Sequence, residues 1–267
     1  MMGPNEEAST MSSTTPLGPN AGGPLEGAVV AVAGAGGAAG HAVLLRLAQA
    51  GATVVAADAD VQRLAAGVDA ARFAHGGATV VGDTVDLLHL AATREWAAKI
   101  LKDFGRVDGL VHLVGGWRGS TTFAGTDLAD WDLLHDLLLR TVQHTSLAFE
   151  APLARSGNGR YVLVSAAGAA RPTAGSAAYA AAKAAAEAWT LALADGFRKT
   201  AGDAGPGAAA TIVVVKALVN DAMRAERPGH RFAGFTDVRE LAESICQLWS
   251  KPTEEVNGTR LWLTPQP

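Results

Sequence analysis

Tyr179 and Lys183 stand four residues apart in the alanine-rich run YAAAK. On a helix, that spacing brings both side chains to one face. A phenol beside an ammonium is an arrangement for proton transfer. Free tyrosine titrates near ~10, and a fixed positive charge within a few ångströms favours the phenolate and lowers that value. Ser165 closes a short apolar run fourteen residues before Tyr179. It is the candidate to hold the oxygen of an acceptor. A Tyr-x-x-x-Lys spacing also occurs on ordinary helix faces, so the elements around it decide whether it means chemistry.

The amino-terminal half supplies a second constellation. Residues 28–33 (AVVAVA) form a continuous apolar run, as in a strand buried on both faces. GAGGAAG follows over residues 34–40, then a helical pattern through Leu44, Leu45 and Leu47 that Gly51 ends. Residues 53–57 (TVVAA) read as a second buried strand, closing with Asp58. Strand, glycine loop, helix, strand and acid make a dinucleotide site. Gly34, Gly36, Gly37, Ala38 and Gly40 let the backbone turn and approach a pyrophosphate on the helix N-terminus. Asp58 is placed to accept hydrogen bonds from a ribose diol. It would repel a 2′-phosphate, and no Arg or Lys lies in the loop or beside Asp58 in sequence, so NAD is favoured over NADP. No Lys-Ser/Thr follows the glycines, which excludes a nucleoside-triphosphate P-loop.

The alternation continues. Residues 78–82 read as a third strand leading to Asp83, and residues 87–104 as an amphipathic helix with Leu90, Trp96, Ile100 and Leu101 on its apolar side. Residues 107–114 read as a fourth strand, followed by Gly115, Gly116 and Trp117. Residues 127–153 read as one long helix and 161–165 as the fifth strand. The Tyr179 helix runs over 179–198, and 209–215 is a sixth strand. A helix over 238–249 and a last strand over 259–263 complete the pattern. The expected fold is a single α/β domain over residues 27–267: a doubly wound parallel sheet of about seven strands with helices on both faces. Residues 1–26, rich in Gly, Pro, Ser, Thr and Asn, are expected to be a disordered tail.

Composition narrows the function class. The chain has 267 residues, 49% hydrophobic and 18% charged, enough to bury a sizeable core. A net charge of −4 gives no electrostatic case for nucleic acid. The single Cys246 excludes an intrachain disulfide and fits a reducing compartment. No apolar run suits a membrane span, and no signal-peptide pattern opens the chain, so a cytoplasmic location is expected. The seven histidines are dispersed, and no metal is expected. His112 reads as a core or cofactor-adjacent residue; His135 and His144 read as helix-surface or interface residues. Ser165 lacks a Gly-x-Ser-x-Gly elbow, which argues against a hydrolase. Asn257-Gly258-Thr259 reads as a turn entering the last strand.

These ordered motifs together resemble the short-chain dehydrogenase/reductase superfamily, with its Rossmann-like fold, over roughly residues 25–265. The resemblance implies that Ser165, Tyr179 and Lys183 are the catalytic trio, with a Ser–Tyr spacing one longer than the family's usual one. It implies that Asp58 selects NAD and that Asp83 caps the adenine ring. HLVG at residues 112–115 stands where the family has Asn-Asn-Ala-Gly, which puts Val114 and Gly115 beside the cofactor. Two departures follow from the same alignment. The helix Asn of the family becomes Leu138, and the Pro-Gly after the sixth strand becomes Lys216-Ala217; Val219 is left to offer its backbone to the nicotinamide amide. Local details, among them GGW at residues 115–117 and the ending GTRLWLTP, are similar to quinonoid dihydropteridine reductase.

The expected activity is hydride transfer between nicotinamide and a small carbonyl or alcohol. Tyr179 would be the acid/base. Lys183 would lower its pKa and bind the ribose. A planar quinonoid substrate stacked on Trp117 is the runner-up. A dinucleotide-binding sensor without turnover is the answer from another class. Residues 222–235 correspond to the family's substrate lid, and Arg224, Arg227 and Arg231 there suit either an anionic substrate or a solvated loop. Helices 127–153 and 179–198 suit a homo-oligomeric interface, dimer or tetramer, as in the family.

Overall fold

Runs of consecutive apolar residues have no polar face, so they need cover on both sides. β1 (Val29–Ala33), β4 (Gly109–His112) and β6 (Ala208–Val215) are buried at every residue; β2 (Thr53–Asp58) and β5 (Gly159–Ala166) nearly so. The structure, a computed structural model, describes residues 23–201 and 207–266. With β3 (Val80–Thr84) and β9 (Arg260–Trp262), these strands form one seven-stranded parallel sheet in the order β3-β2-β1-β4-β5-β6-β9. The expected single α/β domain with about seven parallel strands is therefore what the chain adopts.

Helices cover both faces. α1 (Ala38–Gln49), α2 (Val61–Ala74) and α8 (Val238–Cys246) close one side, where Val43, Leu44 and Leu47 pack on Val30, Val32 and Val54. α3 (Leu90–Phe104), α5 (Thr141–Ala154) and α6 (Ala177–Ala201) close the other, where Trp96, Ile100, Phe149 and Phe197 pack on Ala31, Val55 and Leu163. The strand order reverses between β1 and β4. In such sheets that point opens a crevice beyond the carboxyl ends of the strands.

Four sequence expectations change. α2 is a helix that the residue pattern does not announce. Only Leu64, Gly67, Val68 and Ala71 are buried in it, a narrow stripe broken by Gly67. A Cβ at Gly67 would lie 2.5 Å from the His41 ring, which would have to shift to admit it. The long helix expected over 127–153 is interrupted. α4 (Leu128–His135) passes through a π-helical turn, Asp136–Arg140, into α5. Small additions, α7 (Asp221–Glu226) and the two-residue ribbon of β7 (Leu218–Val219) with β8 (Thr236–Asp237), occupy the region read as a lid. Finally, the folded part begins before Gly27. Leu25 is buried and its N–H donates to the Ala50 carbonyl at 2.8 Å. Most of the expected tail, residues 1–22, lies outside the described residues. Among the described residues no helix is long and apolar enough to cross a membrane.

One buried cation fixes the far edge of the sheet. Arg160, at the start of β5, is fully buried. Its guanidinium donates to the carbonyls of Leu248 (3.1 Å) and Lys251 (2.9 Å) and to Thr253 Oγ1 (3.1 Å). Burial lowers its pKa to about 10, so it remains charged at neutral pH. These bonds tie β5 to the segment that delivers α9 (Thr253–Val256) and β9. Asn257 completes the turn, accepting from the Ala210 N–H and donating to the Ala194 carbonyl. Replacing Arg160 with Leu leaves the buried Leu248 carbonyl and the part-buried Lys251 and Thr253 oxygens without this donor, and unfolding in urea is expected to lose about 3 kcal/mol. An unchanged urea midpoint would remove this anchoring role.

Candidate active site

The turn from β1 to α1 is shaped by glycine where nothing else fits. Gly34 has φ +81°, and a Cβ there would lie 2.6 Å from the Val114 nitrogen. A Cβ on Gly40 would lie 2.3 Å from the Ala35 carbonyl oxygen. Gly36 backs onto Asp58, donating its N–H to Oδ2 at 2.8 Å, while Asp58 Oδ1 accepts from Asp60 N–H at 2.9 Å. Gly37 is the N-cap of α1, and no side chain caps that helix end. Around a Cβ built on Gly37 the nearest atom is the Gly34 oxygen at 3.8 Å. Ala38 opens α1. An open helix N-terminus with uncapped N–H groups, floored by glycine and flanked by a carboxylate, fits a dinucleotide pyrophosphate and ribose.

The surroundings of Asp58 differ from the sequence reading in one respect. Arg63, five residues on, returns along α2 and places Nη2 4.0 Å from Asp58 Oδ1. Its closer partner is Asp60, at 2.9 Å. Asp83, near the end of β3, is paired with Lys99 at 3.1 Å.

On the other side, Tyr179 and Lys183 share one face of α6, whose start is set by a capping box between Thr173 and Ser176. Lys183 is buried, and its Nζ donates to the Val164 carbonyl at 2.8 Å. Burial lowers its pKa to about 8, and the charge of Glu187, one turn further along, opposes that fall. Tyr179 is half-buried beside Leu134, Leu138 and Ala182. Burial raises its pKa above the ordinary value. The expectation that Lys183 lowers the phenol pKa is therefore not met in this state of the site: desolvation, which disfavours the phenolate, dominates.

Ser165 lines the cleft and also has a partner that its motif does not suggest. Its hydroxyl donates to Glu187 Oε1 at 2.6 Å, and Glu187 Oε2 accepts from Arg260 Nε at 2.7 Å. A hydroxyl has one proton to donate. In this arrangement that proton is directed at a buried carboxylate. The residue thirteen before Tyr179, where the shorter spacing would put a serine, is Ala166, which lines the cleft and has no polar side-chain atom. Leu138, within the π-helical turn, is likewise buried and packs near Gly115. Glu187 escaped the sequence reading although it lies four residues beyond Lys183, the same face-sharing interval that singled out the Tyr–Lys pair.

A cleft of about 1260 Å³ joins the two sides. Val114, Gly115, Trp117, Ser165, Tyr179 and Lys183 all line it, while from the β1–α1 turn only Ala39 does; Gly34, Gly36, Gly37, Ala38, Gly40, Asp58 and Asp83 are not among its lining residues. Trp117 stands at its wall with 62% of its surface exposed. Val219 does not line it. That residue is buried in the ribbon with β8, and Lys216, Ala217 and Leu218 take its place. Arg171 is a lining residue that the sequence did not single out. Behind the cleft, the His112 ring lies between Thr141 Oγ1 and Thr145 Oγ1, each at 3.2 Å. Burial and the nearby Lys183 charge lower its pKa to about 3, so it is neutral. Among the described residues no group of three or more His, Cys, Asp and Glu is placed to hold a metal.

Comparison with known proteins agrees with this geometry. The family model described as short chain dehydrogenase matches residues 28–217. No curated protein matches the chain in sequence. Among solved structures, a short chain oxidoreductase of Pseudomonas aeruginosa, described as containing an atypical catalytic center, superposes with a TM-score of 0.80 at 23% identity, over 90% of this chain and 97% of that one. Its NADPH-bound form gives 0.77 at 23% identity, over 88% and 94%. An NAD+-bound xylitol dehydrogenase gives 0.77 at 18% identity, over 90% and 98%.

The Ser165 assignment has a direct consequence. Ser165→Ala removes a hydrogen bond to a buried carboxylate and is expected to cost about 1.5–3 kcal/mol in chemical denaturation. Turnover should change by less than about tenfold. A fall in kcat of about a hundredfold with unaltered stability would instead restore the oxyanion-binding role.

Proposed function

The chain belongs to the short-chain dehydrogenase family, oxidoreductases that use a nicotinamide dinucleotide, and from that premise we propose that it is an NAD(H)-dependent reductase with Tyr179 as proton donor. The observation that carries the proposal is the pairing of Tyr179 and Lys183 on the cleft-facing side of α6, opposite the glycine turn. When bound, the dinucleotide supplies the hydride. Gly34 and Gly36 shape the turn, Gly37 and the first-turn N–H groups of α1 receive its pyrophosphate, and Asp58 holds the adenosine ribose. Lys183 directs one proton at Val164 and has two more to donate, to a ribose hydroxyl and to the phenol oxygen. Hydride arrival builds negative charge on the acceptor, and Tyr179 delivers a proton there. A phenol whose pKa is raised by burial stays protonated at neutral pH, which favours reduction over oxidation.

NAD rather than NADP is supported by the Asp58 carboxylate, held against the glycine turn by two backbone N–H groups. Among the described residues the cation within 4.0 Å of Asp58 is Arg63, which is paired more closely with Asp60. A second reading, a planar quinonoid substrate, draws on two observations. Trp117 offers an exposed ring at the cleft wall. Leu138, Ala166 and the committed Ser165 leave Tyr179 with little help in polarising a localised carbonyl. An acceptor that spreads charge over a conjugated ring needs less of that help.

Purified protein should bind NADH at least about tenfold more tightly than NADPH by calorimetry; the reverse order would overturn the cofactor choice. Screening NADH oxidation against ketones, aldehydes and quinonoid dihydropterin separates the two substrate readings. In whichever reaction is found, Tyr179→Phe should lower kcat by roughly a hundredfold or more while NADH affinity is kept. The kcat/KM profile should fall above about pH 8, because Lys183 is an ammonium below its pKa of about 8 and loses that proton above it. Unchanged turnover in Tyr179→Phe would reject the mechanism.

A further inference from the structure

We propose that the β5–β6 side of the cleft binds a carboxylate on the substrate, through Arg171 and Lys216. This rests on the reductase reading and narrows it to acidic substrates. Among the described residues, the charged side chains lining the cleft are Arg171, Lys183 and Lys216, with no Asp or Glu. The chain as a whole carries a net charge of −4, so a cation-only cleft does not follow from a basic composition. Lys183 is held by Val164 and faces Glu187. The other two are uncommitted. Among the described residues, Arg171 makes no side-chain hydrogen bond or ion pair. Lys216 has one contact, to the Ala233 carbonyl at 3.3 Å, and no carboxylate partner. Elsewhere the chain spends acids on cations readily: Arg224 and Arg239 both reach Asp221 and Asp237.

The position of the two cations sets them apart from the dinucleotide phosphates. Lys216 directly follows β6, and Arg171 lies in the loop that leaves β5; Ala166 pairs with Val215, so the two loops depart side by side. The glycine turn leaves β1, two strands from β5 and three from β6 in the order β1-β4-β5-β6. At ~4.8 Å per strand that is about 10 Å to the loop of Arg171 and about 14 Å to that of Lys216, on the far side of the cleft from a pyrophosphate seated on α1. What Arg171 and Lys216 meet is the substrate end. Trp117 and the hydroxyl of Thr173 line the same space, which suits an aromatic or otherwise flat body carrying the acid.

The test uses probes alike in their reacting group and different in charge. With NADH-loaded full-length protein, 4-carboxybenzaldehyde is compared with its neutral methyl ester, and benzoate binding with benzamide binding by calorimetry. Wild type should reduce the acid with kcat/KM at least about tenfold above the ester, through KM. Benzoate should bind more tightly than benzamide, and more weakly as NaCl is raised. In Arg171→Leu/Lys216→Met the acid should lose about tenfold, leaving ester turnover and the thermal midpoint unchanged. Equal or better reduction of the ester by wild type overturns the proposal. If neither aldehyde is reduced, the reductase reading suffers and calorimetry decides this one. Benzoate binding that the double variant abolishes supports the carboxylate site, and absent or unaltered binding overturns it.

Discussion

The hydrogen bond from Lys183 Nζ to the Val164 carbonyl is the constraint on which the rest of the site depends. An ammonium is costly to bury, and its lowered pKa records that cost. It is tolerated because a carbonyl receives one proton and the Glu187 charge lies one turn away. The next residue of β5, Ser165, is gripped by Glu187 itself. Two successive strand residues are thus held by two side chains four apart on α6. Arg260 of β9 closes the arrangement on the far side of Glu187. Strand, helix and edge strand lock at one level, and Tyr179, one turn before Lys183, takes its position from that lock.

The same lock explains why the polar equipment around Tyr179 is sparse. The serine at the strand end faces the lock and serves it. The π-helical turn at Asp136–Arg140 presents Leu138 to the Tyr179 side of the cleft, where it packs with Leu134 and Ala182. Local widening of a helix of this kind often marks a functional site. Here Thr141 turns its hydroxyl back to the Leu137 carbonyl and toward a neutral His112. The polar network therefore ends behind the cleft wall and does not reach into it. Tyr179 and Lys183 are the pair to which the proposed function gives the proton at the reacting centre.

Much of this was legible in the sequence, for physical reasons that differ by element. Strands buried on both faces announce themselves as unbroken apolar runs, and β1, β2 and β6 were read almost to the residue. The glycine turn was legible because a missing Cβ is a geometric demand, met at Gly34 and Gly40 by contacts under 3 Å. α2 was not legible, since its buried stripe is small and broken by Gly67. The Ser165–Glu187 bond was not legible either. The two residues lie 22 apart in sequence, and only the packing of α6 on β5 brings them together. Arg63 shows the same limit. It is five residues from Asp58 in sequence, and only the return of α2 makes it a neighbour.

The two sides of the cleft are built from different materials. On the β1 side, recognition is done by backbone: N–H groups at a helix end, a positive-φ turn, and one carboxylate oriented by backbone hydrogen bonds. Such features need only glycine and the strand–helix geometry, and the fold that supplies that geometry is shared with proteins having about a fifth of their residues in common. Across the cleft the lining is made by side chains that leave the sheet on loops: Trp117 after β4, Arg171 after β5 and Lys216 after β6. Loops tolerate replacement because they carry little of the core. The substitution of Lys216-Ala217 for the family's Pro-Gly falls on this side. It puts a charge where the family has a rigid turn, and it leaves the Lys183–Val164–Glu187 lock below it untouched.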